Sequence, residues 1–168
     1  MNKRKWTIGI SIILLTLLYI WSNSLPSVER SNQQSGRILR LIAIIFNTPP
    51  LDTLENQHVI RKIAHVAEFG LLGIEMTLLL LLTGTIRWQN IMNILFIGLV
   101  VATIDEAIQI FAQRGSLVSD VVLDFGGVLL GICVGFIINV LVLRVKKNML
   151  RKKAPKSTVT CVSKKREE

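Results

Sequence analysis

The chain has 168 residues, of which 51% are hydrophobic, and its mean hydropathy is +0.52. A soluble domain of this size needs a polar surface around one small core, so this composition excludes most soluble folds. The formal net charge is +9. Membrane orientation and attraction to anionic lipids explain that charge more simply than nucleic-acid binding does, so no nucleic-acid partner is expected.

The apolar residues form four blocks, each long enough to cross a hydrocarbon core of about 30 Å as a helix. The blocks are continuous and do not alternate with polar residues, which excludes the strands of a membrane β-barrel. The predicted fold class is therefore all-α, a polytopic membrane protein with a bundle of four transmembrane helices. The predicted spans are residues 6–25, 61–84, 88–112 and 117–143.

The first block carries no charge and has aromatic residues near its ends, at Trp6, Tyr19 and Trp21. The basic residues Lys3 to Lys5 resemble the start of a signal peptide. The apolar stretch is too long for a typical signal peptide, however, and no small-residue cleavage site follows it. We expect this block to be retained as a membrane anchor.

The segment between the first two spans contains a shorter apolar stretch from Gly36 to Asn47, which is too short to cross a bilayer. Its two arginines, Arg37 and Arg40, lie about one helical turn apart. This pattern predicts a short helix along the membrane interface. Asp52 or Thr53 can cap the helix that leads into the second span.

Basic residues precede the first span, lie between spans two and three at Arg87, and are dense after span four. The positive-inside rule places these three regions, and so both termini, in the cytoplasm. We therefore divide the chain into a membrane domain at 1–145 and a basic cytoplasmic tail at 146–168, which is expected to be disordered. Attraction of the basic residues to anionic lipids is expected at this face.

Ionisable residues inside a bilayer cost at least a few kcal/mol each unless they are paired or hydrated, so they are candidates for function. In the predicted orientation, the charged residues of spans two, three and four lie in the outer leaflet, except for Glu75, which lies near the middle of the membrane. The candidate site, catalytic or ligand-binding, comprises Lys62, His65, Glu68, Asp105, Glu106, Gln109, Arg114, Asp120 and Asp124.

Carboxylates outnumber cations in this set, so the site could hold a metal ion, perform acid–base chemistry, or bind a cationic or hydroxyl-rich head group. The sequence requires no cofactor. If a divalent metal is bound, the expected ligands are His65, Glu68, Asp120 and Asp124. The alternatives are that His65 only packs between helices, and that Lys62 and Arg114 only anchor the helix ends at the interface.

A row of small residues continues the face of Asp120 and Asp124 along span four. It consists of Gly127, Gly131 and Gly135, a spacing that allows close helix contact. The row predicts that both aspartates face the bundle. The same row could instead join two copies of the chain as a homo-oligomer.

Two separated motifs carry a family resemblance. The first is RKIAHVAEF at 61–69, followed by Leu72 and Gly73; the second is DEAIQIF at 105–111, followed by Arg114, Asp120, Asp124 and Gly127. In this order, together with Trp21-Ser22-Asn23-Ser24 at the end of span one, they resemble the VanZ-like family. Ala112-Gln113 departs from the Pro-Gly turn that many members have before the arginine.

The resemblance implies a multi-pass protein of the bacterial plasma membrane, because the founding members are linked to resistance to teicoplanin-type glycopeptides. It implies a protein that recognises a lipid-linked envelope precursor or a glycopeptide at the outer surface. Whether the protein is an enzyme stays open. A hydrolase or transferase of an envelope lipid head group could use His65 and carboxylates as acid and base, although no nucleophile is evident in the motifs. A small proton-coupled transporter is a third alternative, less favoured because four spans are few.

Overall fold

The computed structural model describes residues 3–26, 28–46, 53–82, 84, 86–112 and 118–153. These residues form five α-helices and no strand: α1 (Lys3–Ser24), α2 (Val28–Phe46), α3 (Leu54–Leu82), α4 (Trp88–Phe111) and α5 (Val118–Lys153). Among them, α1, α3, α4 and α5 are long and apolar enough to cross a membrane. The predicted all-α fold with four spans is therefore confirmed.

Helix α3 begins at Leu54, well before the predicted start of the second span at residue 61. Thr53 precedes it, and the backbone N–H of Asn56 donates a hydrogen bond to Thr53 Oγ1 at 3.3 Å. This is the arrangement of a threonine N-cap, which satisfies a donor at the helix start. Thr53, which is one of the two predicted candidates, is therefore the N-cap of α3. Asp52 lies outside the described residues.

Helix α5 continues to Lys153, past the predicted end of the fourth span at residue 143. The prediction that disorder begins at residue 146 therefore needs correction for residues 146–153. These residues include Lys, Leu, Met and Arg, which favour helix, and the next proline is Pro155. The rest of the tail, residues 154–168, lies outside the described part of the chain.

Helix α2 starts at Val28, so it is longer than the predicted stretch from Gly36 to Asn47, and Asn47 itself lies outside the described residues. One side of α2 packs on α3, with Leu39 and Ala43 buried. Its other side leaves Ile44 and Ile45 exposed at 75% and 74%. A helix with arginines and an uncovered apolar side fits the membrane interface, and that position stays a prediction.

The closest helix pair is α3 with α5. A Cβ atom added to Gly131 would collide with the Gly70 carbonyl oxygen, and one added to Gly73 would collide with the Val128 carbonyl oxygen. The two backbones approach this closely only because these positions lack a side chain.

The glycine row of α5 therefore packs against α3 of the same chain, as the packing interpretation predicted. Gly127 lies against Val66 and Gly135 against Thr77. In this arrangement α3 covers the row, and the homo-oligomer through the same row stays a prediction.

Large apolar side chains remain on the outside of the bundle, including Leu15 at 66%, Phe96 at 68% and Val122 at 66% exposure. On a soluble protein such a surface would cause aggregation, but around a membrane bundle it contacts lipid chains. The interior is filled by Ile20, Phe69, Leu72, Ala102 and Val128.

The turn between α3 and α4 decides which helix ends meet. Gly84 follows α3 with a φ of +73°, a left-handed conformation that favours glycine. The chain reverses there, so α4 runs back along α3. As a result, the end of α4 returns to the level where α3 begins, next to the end of α1 and the start of α5.

Candidate functional site

Polar side chains from four helices meet at this end of the bundle. We call this group the polar cluster; it consists of Asn23 and Ser24 on α1, His65 and Glu68 on α3, Asp105, Glu106 and Gln109 on α4, and Asp124 on α5. Asp105 is fully buried, and Asp124 is 2% exposed. Carboxylates this deep in an apolar bundle need partners, because removing a charge from water is costly.

Asp105 is held in place by two hydrogen bonds. The Ser24 hydroxyl donates to Asp105 Oδ1 at 2.6 Å, and the Gln109 amide donates to Asp105 Oδ2 at 2.9 Å. Gln109 lies four residues after Asp105, one helical turn away, so α4 itself positions this donor. The two donors fix the orientation of the carboxylate, and each oxygen keeps a further lone pair for another partner.

His65 lies between the two buried aspartates. Its Nδ1 atom is 3.7 Å from Asp105 Oδ2 and 3.9 Å from Asp124 Oδ1. Both distances exceed those of hydrogen bonds but permit strong electrostatic attraction in a medium of low dielectric constant. A protonated His65 or a shared cation at this point would therefore stabilise both carboxylates.

Asp124 can accept more hydrogen bonds than it receives. Its Oδ2 atom is buried and has no hydrogen-bond partner among the described residues. Leaving a buried acceptor without a donor costs about 1–3 kcal/mol, and more when the group is charged. This oxygen is therefore suited to a donor or cation that comes from outside the chain.

Glu68 extends the cluster toward α1. The Asn23 side-chain amide donates to Glu68 Oε1 at 2.8 Å, while Glu68 Oε2 is buried and, within the described part of the chain, accepts no hydrogen bond. Glu106, adjacent to Asp105, is also buried at 4% exposure. The buried acidic groups thus come from three different helices.

Lys62 and Asp120 form an ion pair closer to the surface. The Lys62 Nζ atom lies 2.9 Å from Asp120 Oδ1, and the two side chains are 34% and 22% exposed. A pair this exposed contributes at most about 1 kcal/mol. Its main consequence is that each charge is matched by the other, which leaves the deeper carboxylates to find other partners. Arg114, the remaining predicted site residue, lies outside the described residues.

The structure changes the expected metal ligands. Possible ligand atoms of His65, Asp105 and Asp124 all lie within 4.8 Å of one another. The predicted set instead contained Glu68 and Asp120 beside His65 and Asp124. Glu68 is turned toward Asn23 and Asp120 toward Lys62, whereas Asp105 faces His65. The candidate ligand set is therefore corrected to His65, Asp105 and Asp124.

Two residues of the cluster, Asn23 and Ser24, were not among the predicted site residues. Both are uncharged, so the cost of charge in a bilayer did not single them out. The available signal was their position at the end of an apolar span, within the Trp21–Ser24 stretch that the family resemblance includes. Glu75 lies apart from the cluster and accepts a hydrogen bond from Thr16 at 2.9 Å.

An open cavity of about 360 Å³ lies at the opposite end of the bundle. Its lining includes Trp6 and Ile13 of α1, Met76 of α3, and Ile94 of α4, and is mostly apolar. None of its lining residues belongs to the polar cluster. None of its described lining residues is ionisable; Asn90 and Asn93 supply polar groups there.

The VanZ/LLP1 family model matches residues 9–139 of the chain. No curated protein and no solved structure gave a significant match. The matched region contains every residue of the polar cluster, all of α3 and α4, and most of α1 and α5. Because this match spans well over half of the chain, the protein belongs to the VanZ/LLP1 family.

Proposed function

We propose that this protein contributes to tolerance of teicoplanin-type glycopeptides by recognising an envelope ligand from the outer leaflet of the plasma membrane. The ligand is either a lipid-linked precursor head group or the glycopeptide itself. The family's founding members are linked to this resistance, and the positive-inside rule favours an outer position for the polar cluster.

The observation that carries the proposal is the surplus of buried acceptors in the polar cluster. Asp124 Oδ2 and Glu68 Oε2 are buried and accept no hydrogen bond from the described residues, and the nearby Lys62 is already paired with Asp120. A ligand rich in amine or hydroxyl groups would supply the missing donors. Donors to buried, charged acceptors contribute more than neutral pairs do, so such a ligand would be bound with specificity.

The surroundings of the polar cluster suit a ligand with a lipid-like part. The neighbouring helix surfaces carry exposed apolar residues, including Ile63 at 58% and Val122 at 66% exposure. A lipid tail could stay in the bilayer beside α3 and α5 while its polar group meets the cluster. This division of contacts favours teicoplanin-type drugs, which have a lipid-like portion, over vancomycin.

We expect the wild-type chain to raise tolerance to teicoplanin, and not to vancomycin, in a sensitive Gram-positive host. His65→Ala should remove this effect, and His58→Ala should not, because His58 is exposed and lies outside the polar cluster. Minimal inhibitory concentrations are measured for the three chains and an empty vector at matched membrane abundance.

Equal teicoplanin tolerance in wild type and empty vector would contradict the proposed function. Equal tolerance with His65→Ala and wild type would separate the function from the polar cluster. The two histidines make a matched pair, since the chain has no others.

A second candidate is an enzyme that modifies an envelope lipid head group. It is favoured by the position of His65 beside two carboxylates, which suits a general acid or base. The two candidates differ in turnover: an enzyme changes the masses of lipid-linked precursors, whereas a binding protein leaves them unchanged. Mass spectrometry of envelope lipids from cells with wild type and with Asp124→Asn distinguishes them.

A further inference from the structure

We propose that His65, Asp105 and Asp124 bind a divalent transition-metal ion, for which Zn²⁺ is the best fit. The proposed metal ion would bind within the same polar cluster as the ligand of the proposed function. The inference rests on the proposed function only through this shared location. The proposed ligand is an ion whose fit can be tested directly against the geometry of three side chains.

The donor atoms come from three helices and converge on one point. His65 Nδ1 lies 3.7 Å from Asp105 Oδ2 and 3.9 Å from Asp124 Oδ1. Zinc bonds to nitrogen and oxygen are about 2.0–2.2 Å long, which separates neighbouring ligands by about 3–3.5 Å. The ligand atoms of all three residues lie within 4.8 Å of one another, so small side-chain movements would bring all three donors into the first coordination sphere.

The chemistry of the donors selects the class of ion. One imidazole with two carboxylates suits Zn²⁺ better than Mg²⁺ or Ca²⁺, which prefer oxygen ligands alone. Three protein ligands also leave a fourth position of a tetrahedral ion open for water or for an oxygen of a bound head group.

The surroundings of Asp105 resemble the outer shell of a metal site. Ligand carboxylates in such sites are themselves held by hydrogen bonds, which fix their orientation. Asp105 receives one hydrogen bond from Ser24 and another from Gln109, and it is fully buried. Both donors leave it free to offer a further lone pair of Oδ2 toward His65.

Asp124 supplies an independent observation. It is 2% exposed, and its buried Oδ2 has no hydrogen-bond partner among the residues that the structure describes. A buried carboxylate in that situation is costly unless a cation compensates it. The Lys62 ammonium group pairs with Asp120 instead. A divalent ion between Asp105 and Asp124 would provide the compensation.

The test is the metal content of the full chain, purified in detergent from zinc-supplemented cells with an affinity tag that contains no histidine. We expect about one Zn²⁺ per wild-type chain, and at least a tenfold lower content in His65→Ala and in Asp124→Asn. His58→Ala and Glu75→Gln are matched controls outside the polar cluster and should keep the wild-type content.

Titration of metal-free wild type with Co²⁺ gives a readout that needs no variant to fold. Saturable visible absorption at about one equivalent, displaced by Zn²⁺, is the expected result for a site with few ligands. Ser24→Ala should weaken Zn²⁺ binding about 10–100-fold, because it removes a donor that orients Asp105.

Wild type that binds neither Zn²⁺ nor Co²⁺ would overturn the inference and leave the cluster as a network of shared protons. Zinc that His65→Ala retains at the wild-type level would overturn it as well. The two proposals fail separately. A chain that confers teicoplanin tolerance without binding zinc overturns only this inference, and a chain that binds zinc without conferring tolerance overturns only the proposed function.

Discussion

Asp124→Asn is expected to abolish teicoplanin tolerance while the protein reaches the membrane at its normal level. The substitution keeps the size of the side chain and removes its charge, so the packing of α5 against α3 is preserved. Removing one partner of a charged contact that is buried in a binding site typically costs about 2–5 kcal/mol of binding free energy. This corresponds to at least about a thirtyfold loss of ligand affinity.

Folding should tolerate this change, because Asp124 is buried and its Oδ2 atom receives no hydrogen bond from the described residues. Removing a costly buried charge does not remove a stabilising contact of the same size. Glu75→Gln is the matched control: it replaces another carboxylate inside the bundle by an amide, away from the polar cluster. Minimal inhibitory concentrations and immunoblots of membrane fractions are compared. Full tolerance with Asp124→Asn would mean that this carboxylate has only a structural role.

Gly131→Ala is expected to destabilise the bundle by about 1–3 kcal/mol. The added Cβ would meet the Gly70 carbonyl oxygen and would lie 3.0 Å from the Gly73 Cα atom. These are backbone atoms, which cannot rotate away as a flexible side chain does. Helices α3 and α5 would have to separate, and the cluster that both helices contribute to would loosen.

Gly126→Ala is the control, because nothing lies within 4 Å of its added Cβ atom. Alanine also favours helix over glycine by about 1 kcal/mol, so this variant should be neutral or slightly stabilised. Thermal unfolding in detergent, followed by circular dichroism, measures both. At roughly 2–4 °C per kcal/mol, Gly131→Ala should unfold several degrees below wild type. The same midpoint for both variants would contradict the close contact between α3 and α5.

The fold could be predicted from the sequence because its four spans are long and apolar, with few charges inside them. Such runs have no other stable arrangement in a bilayer than a helix. The helix ends were harder to predict, since α3 and α5 extend into polar residues that no longer show an apolar run. In those regions the cap at Thr53 and the helix-favouring residues before Lys153 decide where the helix begins or ends.

The site could be predicted only in part. The depth of the charged residues and their spacing along each helix indicated one shared polar region. The spacing of residues within one helix does not show which residues of another helix they contact, however. Those contacts depend on the axial register of α3 relative to α5, which the close contact of Gly131 with Gly70 determines. In this register Asp120 pairs with Lys62, and His65 lies near both Asp124 and Asp105.

The proposed function requires the polar cluster to lie on the outer side of the membrane, because a glycopeptide or an exported lipid-linked precursor could not reach it otherwise. Gln33 on α2 is exposed near the polar-cluster end, and Asn148 is exposed near the other end of the bundle. The measurement introduces Gln33→Cys or Asn148→Cys into a chain whose native Cys133 and Cys161 are replaced by serine, and labels intact cells with a membrane-impermeant maleimide.

We predict that the cysteine at position 33 is labelled in intact cells, and that the one at position 148 is labelled only after the membrane is permeabilised. The positive-inside rule favours this result, since most of the basic residues precede the first span, lie at Arg87 or follow the fourth span. Labelling in the reverse order would place the polar cluster in the cytoplasm and contradict the proposed function.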